Sequence, residues 1–299
     1  VSSSLLTTGD RTWVGRPAYF AVGSAFKRRL SGLRRPGVAI PGAILLLIVV
    51  ACFFGPTLLG LPDPSVGHLA DYNLPIGSPG HLLGTNNLGN DLLSRLLTGG
   101  QVSITVGISA TLLGMVVGVP LGALAGHNGG VVEAVLMRIV DALAAFPGLI
   151  LALAIAAYLG PDEWHTVLAL GFFSIAGFAR LAYAQTGRVR NRDYVVAAQT
   201  TGVKTSKIVF AHILPNISAP IISFALAGVG IAMVAEAGLS FLGLGVQIPQ
   251  PSWGNLISSG QKFLGTAPQL VILPSAMLFL TVLCLNLLAD GLRSNQVSR

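Results

Sequence analysis

Charge is scarce in this chain. Only 10% of its 299 residues are Asp, Glu, Lys or Arg, while 53% are apolar and mean hydropathy is +0.75. An average soluble chain is about a quarter charged, so an ordinary water-soluble domain is excluded. Cysteine is scarcer still: Cys52 and Cys284 both lie inside apolar runs and read as packed or lipid-facing thiols rather than a disulfide. The 18 basic residues outnumber the 11 acidic ones, giving a net charge of +7, yet they form no basic-aromatic cluster of the kind that binds nucleic acid. Catalytic constellations are missing too. The histidines (His68, His81, His127, His165, His212) are scattered, with no metal-ligand spacing. No Ser-His-Asp or Cys-His arrangement stands out, and Ser240 lacks the glycine two positions on that a nucleophile elbow needs. The stretch Gly202-Val203-Lys204-Thr205 is no Walker motif, because its Gly and Lys are not adjacent and no glycine-rich lead-in precedes it. Catalysis by this chain alone is not expected, nor a metal or a cofactor of its own.

Long apolar runs are abundant. Six segments, 38–59, 102–125, 135–159, 165–187, 216–237 and 269–290, approach or exceed the ~20 residues needed to cross a bilayer. The first starts some 37 residues in and lacks a small-residue cleavage site, so it reads as a retained anchor. Gly114, Gly118 and Gly122 recur every four residues and lay a smooth stripe along one helix face, where another helix can approach closely. The fold class is thus an all-α membrane protein with six transmembrane helices. Basic residues set its orientation. Seven lie in the tail 1–37, five between 188 and 215, and two at the C-terminus, whereas 60–101 and 238–268 together hold only Arg95 and Lys262. Both termini are therefore expected on the cytoplasmic side of the membrane.

Three non-spanning pieces add detail. In the tail, Phe26, Leu30 and Leu33 fall at helical spacing among basic residues, which suits an amphipathic helix along the inner leaflet; a solvated basic tail is the alternative. Residues 60–101 form an external loop. Residues 238–268 contain an apolar run too short to cross, expected to dip into the outer surface as a re-entrant plug. Charges in or near the spans are costly, at least ~2.5–3.5 kcal/mol each on insertion scales. Arg138 and Asp141, spaced i, i+3, can pair on one face, and Phe146-Pro147 follows where proline bends the helix. Glu236 ends span five. Interhelical pairing or snorkelling accounts for such charges; the functional alternative is that Arg138, Asp141 and Glu236 line or gate a polar pathway, with Phe146 and Pro147 at its bend.

The most informative piece is the basic island RVRNRDYVVAAQTTGVKTSKIVFAHILPN, Arg188 to Asn216. With its Ala197-Ala198 pair, Gly202 and Leu214-Pro215, it resembles the "EAA" loop of ABC-importer permeases. Further blocks match in order: HLLGTNNLGNDLLSR from His81, VLMRIVDALAAFPG from Val135, EAGLSFLGLGVQ from Glu236, PSWGN from Pro251 and NLLADGLR from Asn286. From about residue 38 onward the chain is similar to C-type permeases of the dipeptide/oligopeptide/nickel family. The resemblance implies a type I ABC importer permease fold with a core over 102–299. It implies a coupling loop (188–215) that docks on an ATPase through Asp193, Tyr194, Val196, Ala197, Ala198, Thr201, Gly202 and Lys207. It also implies a second homologous permease, two ATPase subunits that use ATP and Mg, and an extracytoplasmic binding protein delivering peptide near Asp91, Trp253 and Asn255. Gly202 is expected to permit a turn that a side chain would obstruct. One departure stands out: the family's usual glutamate before the alanine pair is Val196 here. A nickel or other small-solute permease, and less readily an ion-coupled secondary transporter, are the competing readings.

Overall fold

The computed structural model describes residues 36–247 and 249–297. The tail with Phe26, Leu30 and Leu33 lies outside them. Within the described residues the secondary structure is helical, apart from two isolated bridges, Ser78 with His81 and Thr85 with Asp91. Five helices are long and apolar enough to cross a bilayer: α1 (Pro36–Leu58), α2 (Leu92–Asn128), α5 (Glu163–Val189), α7 (Thr205–Phe241) and α9 (Gln269–Val297). A bent pair, α3 (Gly130–Ala145) and α4 (Gly148–Leu159), supplies a sixth span if its halves are counted together. Two short α-helices, α6 (Asp193–Thr200) and α8 (Trp253–Gly260), and two 3-10 turns, Leu69–Asp71 and Gln261–Phe263, complete the order.

The bend between α3 and α4 is 79°. Its cause is local. Phe146, preceding Pro147, is forced out of the helical region to φ −80°, ψ 133°, and Pro147 has no N–H to continue the ladder. Gly148 then lets the ring of Phe173 sit where a Cβ would be, 2.1 Å from a ring carbon.

The helix ends differ from the apolar runs. α2 begins ten residues before the run at 102, inside the segment read as external loop, because Asp91 caps it: Ser94 N donates to Asp91 Oδ1 at 2.7 Å. At 1.5 Å per residue its 37 residues span about 55 Å, well beyond a ~30 Å hydrocarbon core. Hydropathy marks the span; the cap marks the helix.

α2 and α5 form the spine. A Cβ on Gly114 would lie 2.4 Å from Ser174 Cβ, on Gly118 2.4 Å from Ile175 O, and on Gly122 2.0 Å from Ala179 O. The stripe expected from the four-residue spacing is the contact itself. Lipid tails are as apolar as leucine, so helices associate in a bilayer largely through such close packing. Cys52 and Cys284 are free, buried thiols.

Candidate functional site

The segment after α5 is a helix–turn–helix. α6 starts behind Arg192 at the cap position, with Asp193 in the first turn complementing the helix's positive end. It stops in a Schellman motif: Val203 N donates to Ala198 O at 3.1 Å and Gly202 N to Gln199 O at 3.0 Å, with Gly202 at φ +75°. A Cβ on Gly202 would meet nothing within 4 Å. The steric obstruction expected at this glycine is therefore absent, and what the turn demands is the left-handed backbone. The chain re-enters α7 through a π-helical stretch, Ile208–Ile213.

One face of this loop is anchored. Val195, Ala198, Ile208, Val209 and Ile213 are buried in a cluster with Val119, Ala123, Phe178 and Ala182 of α2 and α5. The opposite face is open: Tyr194, Val196, Ala197, Thr201, Gly202 and Lys207 are exposed. The alanine pair is thus divided, Ala197 outward and Ala198 inward. Val196 presents an apolar side chain, 43% exposed, at the point where a glutamate was expected.

Charged groups on α3 pair across to α5. Asp141 Oδ1 accepts from Arg180 Nη2 at 2.9 Å, and Glu133 accepts a hydrogen bond from the Tyr183 hydroxyl. The expected Arg138–Asp141 pair is replaced by this interhelical one; Arg138 is exposed and makes no ion pair among the described residues. Phe146 and Pro147 stand exposed at the bend.

Glu236 lies where α2, α7 and α8 meet. Its side chain is fully buried and accepts from three hydroxyls: Ser103 Oγ on α2 (3.0 Å), Ser240 Oγ on α7 (2.7 Å) and Ser252 Oγ before α8 (2.8 Å). Ser103 Oγ also accepts from Trp253 N, and Ser252 Oγ from Asn255 N. The carboxylate therefore ties α8 to the two long helices. α8 carries a capping box, with Asn255 Oδ1 accepting from Ser252 N at 3.0 Å.

The residues expected at a binding-protein surface are likewise inside. Asp91, Trp253 and Asn255 are 3%, 0% and 7% exposed. Asp91 caps α2 through Oδ1, and its Oδ2 accepts from His81 Nδ1 at 2.8 Å. Trp253 donates from Nε1 to Leu96 O at 2.9 Å, and Asn255 closes the capping box. Polar and aromatic residues in a segment outside the spans look like surface; here they serve as caps and as filling. Sequence reasoning also missed Arg95, buried with Nη1 donating to Pro64 O at 2.8 Å, which straps the preceding loop to the start of α2. Only its isolation among apolar neighbours hinted at this.

The arrangement has relatives. A family model described as the inner membrane component of binding-protein-dependent transport systems matches residues 118–299. The chain is 38% identical over 260 residues to a glutathione transport system permease protein of Pectobacterium atrosepticum, covering 87% of this chain and 86% of that one. It is 38% identical over 261 residues to a di/tripeptide transport system permease protein of Pseudomonas aeruginosa (85% and 86% covered). With a dipeptide transport system permease protein of Alkalihalophilus pseudofirmus it shares 34% over 276 residues (92% and 90%). In fold it is similar to a chain of the MetNI methionine ABC transporter in inward-facing form, with a TM-score of 0.55 at 15% identity, covering 67% of this chain and 95% of that one. Helices, loop and matches agree: the chain belongs to the family of binding-protein-dependent transport system inner membrane components, the permease subunits of ABC importers.

Proposed function

We propose that this chain is one of two permeases that together pass short peptides across the bacterial inner membrane by alternating access, powered by two partner ATPases. The observation that carries the reading is the two-faced helix–turn–helix after α5. Its buried side, Val195, Ala198 and Ile208, is continuous with the packing of α2 and α5. Its open side offers Tyr194, Val196 and Ala197 to a partner. A push on that surface is transmitted to the spans because no slack separates the loop from the spine. The concentration of basic residues from Arg188 to Lys207 supports a cytoplasmic position for it, where ATP and Mg are handled by the ATPases. An extracytoplasmic binding protein delivers cargo at the opposite end, beside α8. Peptide cargo of two or three residues is supported by the relatives named for dipeptide, tripeptide and glutathione transport.

Gly202→Val tests the loop. A left-handed backbone costs a non-glycine residue about 1–2 kcal/mol, a factor of roughly 5–30 in the population of the native turn. The expected result is a variant that inserts and assembles but loses most of the ATP hydrolysis stimulated by peptide-loaded binding protein. Undiminished stimulation would sink the assignment of this loop.

A further inference from the structure

A cleft of about 380 Å³ opens between α3, α5 and α7, within the ~300–1,000 Å³ of small-molecule sites. Ala144, Phe173, Gly177, Phe224 and Ile231 make its walls apolar. Phe224 is set by an edge-to-face contact with Phe178, ring centroids 5.0 Å apart. Ser174, also on the lining, has its hydroxyl committed to Leu170 O at 2.9 Å. Among the described residues, the one charged group on the lining is Arg180. Its side chain is 54% exposed, and of the guanidinium nitrogens only Nη2 makes a hydrogen bond among the described residues, to Asp141. Such a charge facing lipid costs several kcal/mol, so this face is turned to water or protein.

We propose that Arg180 is the contact for the C-terminal carboxylate of a short peptide passing through this cleft. The inference rests on the peptide-permease reading and adds a residue to it. The chemistry fits on two counts. Asp141 holds one nitrogen of the guanidinium and leaves the remaining donors of its planar fork for a carboxylate, the partner that Arg binds in bidentate fashion. Among the described residues the apolar, aromatic walls carry no other free polar group to select side chains, so the site reads the terminus that all short peptides share and tolerates the rest. Asp141 is a positioning residue: it fixes where the guanidinium points.

The test uses the assembled transporter in proteoliposomes, without binding protein, so that the permease alone selects. The probe is a diazirine-bearing dipeptide, photo-leucyl-alanine, as free acid and as C-terminal amide. The free acid is expected to label α5 and α7 of this chain at least fivefold more than the amide. Arg180→Gln should reduce the acid to the amide's level, and Arg180→Lys should restore part of the difference. Equal labelling by acid and amide in the unaltered complex overturns the proposal, even if Arg180→Gln fails to assemble. So does labelling confined to other subunits, which means that the second permease fills the cleft. Dipeptide uptake by the complete complex with its binding protein is measured in parallel. Uptake with equal labelling removes the Arg180 contact alone, whereas absence of uptake removes the peptide reading as well.

Discussion

Glu236 has three hydroxyl donors and, among the described residues, no cation in salt-bridge contact, which makes its substitutions informative. Oε1 accepts from Ser240 and Ser252, and Oε2 from Ser103. Glu236→Gln keeps the amide oxygen for two of these donors. Its NH2 meets Ser103 Oγ, which can turn to accept as well as donate. Glu236→Ala instead strands three buried hydroxyls and leaves a void. Each unsatisfied group costs about 1–3 kcal/mol, with the cavity on top. The alanine variant should therefore lose on the order of 3 kcal/mol or more of stability, and the glutamine variant a fraction of that. Thermal melting of the purified protein in detergent reads the difference. Equal losses would mean that the carboxylate does not hold α8. Nothing in the sequence around Glu236 distinguishes this role from a gating one, because its partners Ser103 and Ser252 lie 133 and 16 residues away.

Elements were legible where a period or a prohibition writes them. The four-residue glycine spacing in α2 foretold a close helix contact, and Pro147 foretold the bend. Element ends were not, since Asp91 extends α2 beyond its apolar run and the open space around Gly202 shows a turn chosen by backbone conformation rather than by crowding. The α2–α5 contact can be tested at its tightest point. A Cβ on Gly122 would lie 2.0 Å from Ala179 O, a backbone atom that cannot rotate away, whereas a Cβ on Gly238 of α7 would meet nothing within 4 Å. Gly122→Leu is accordingly expected to abolish the monodisperse peak in size-exclusion chromatography, while Gly238→Ala leaves it intact. A monodisperse Gly122→Leu protein would show that α2 and α5 can separate without loss of the fold.

At the scale of the whole molecule, the proposed docking of an ATPase on the loop's outward face is tested at Val196. In the isolated chain Val196→Glu is a surface change, which ordinarily stays within about ±0.5 kcal/mol, so insertion and melting should not move. In the complex the outcome depends on what faces it. A cleft that receives Tyr194, Val196 and Ala197 through apolar contact would have to bury a carboxylate there without a partner, at a cost of several kcal/mol. Each 1.4 kcal/mol is tenfold in affinity. Val196→Glu should therefore reduce the ATPase retained on co-purification by at least about tenfold, while Val196→Leu retains it. If Val196→Glu keeps the full stoichiometry, the ATPase offers a basic group at this point and the loop docks through charge. That result would restore the acid as the natural occupant of the position and make valine a tolerated replacement, because the anchored inner face, Val195 and Ala198, sets the loop's geometry in either case.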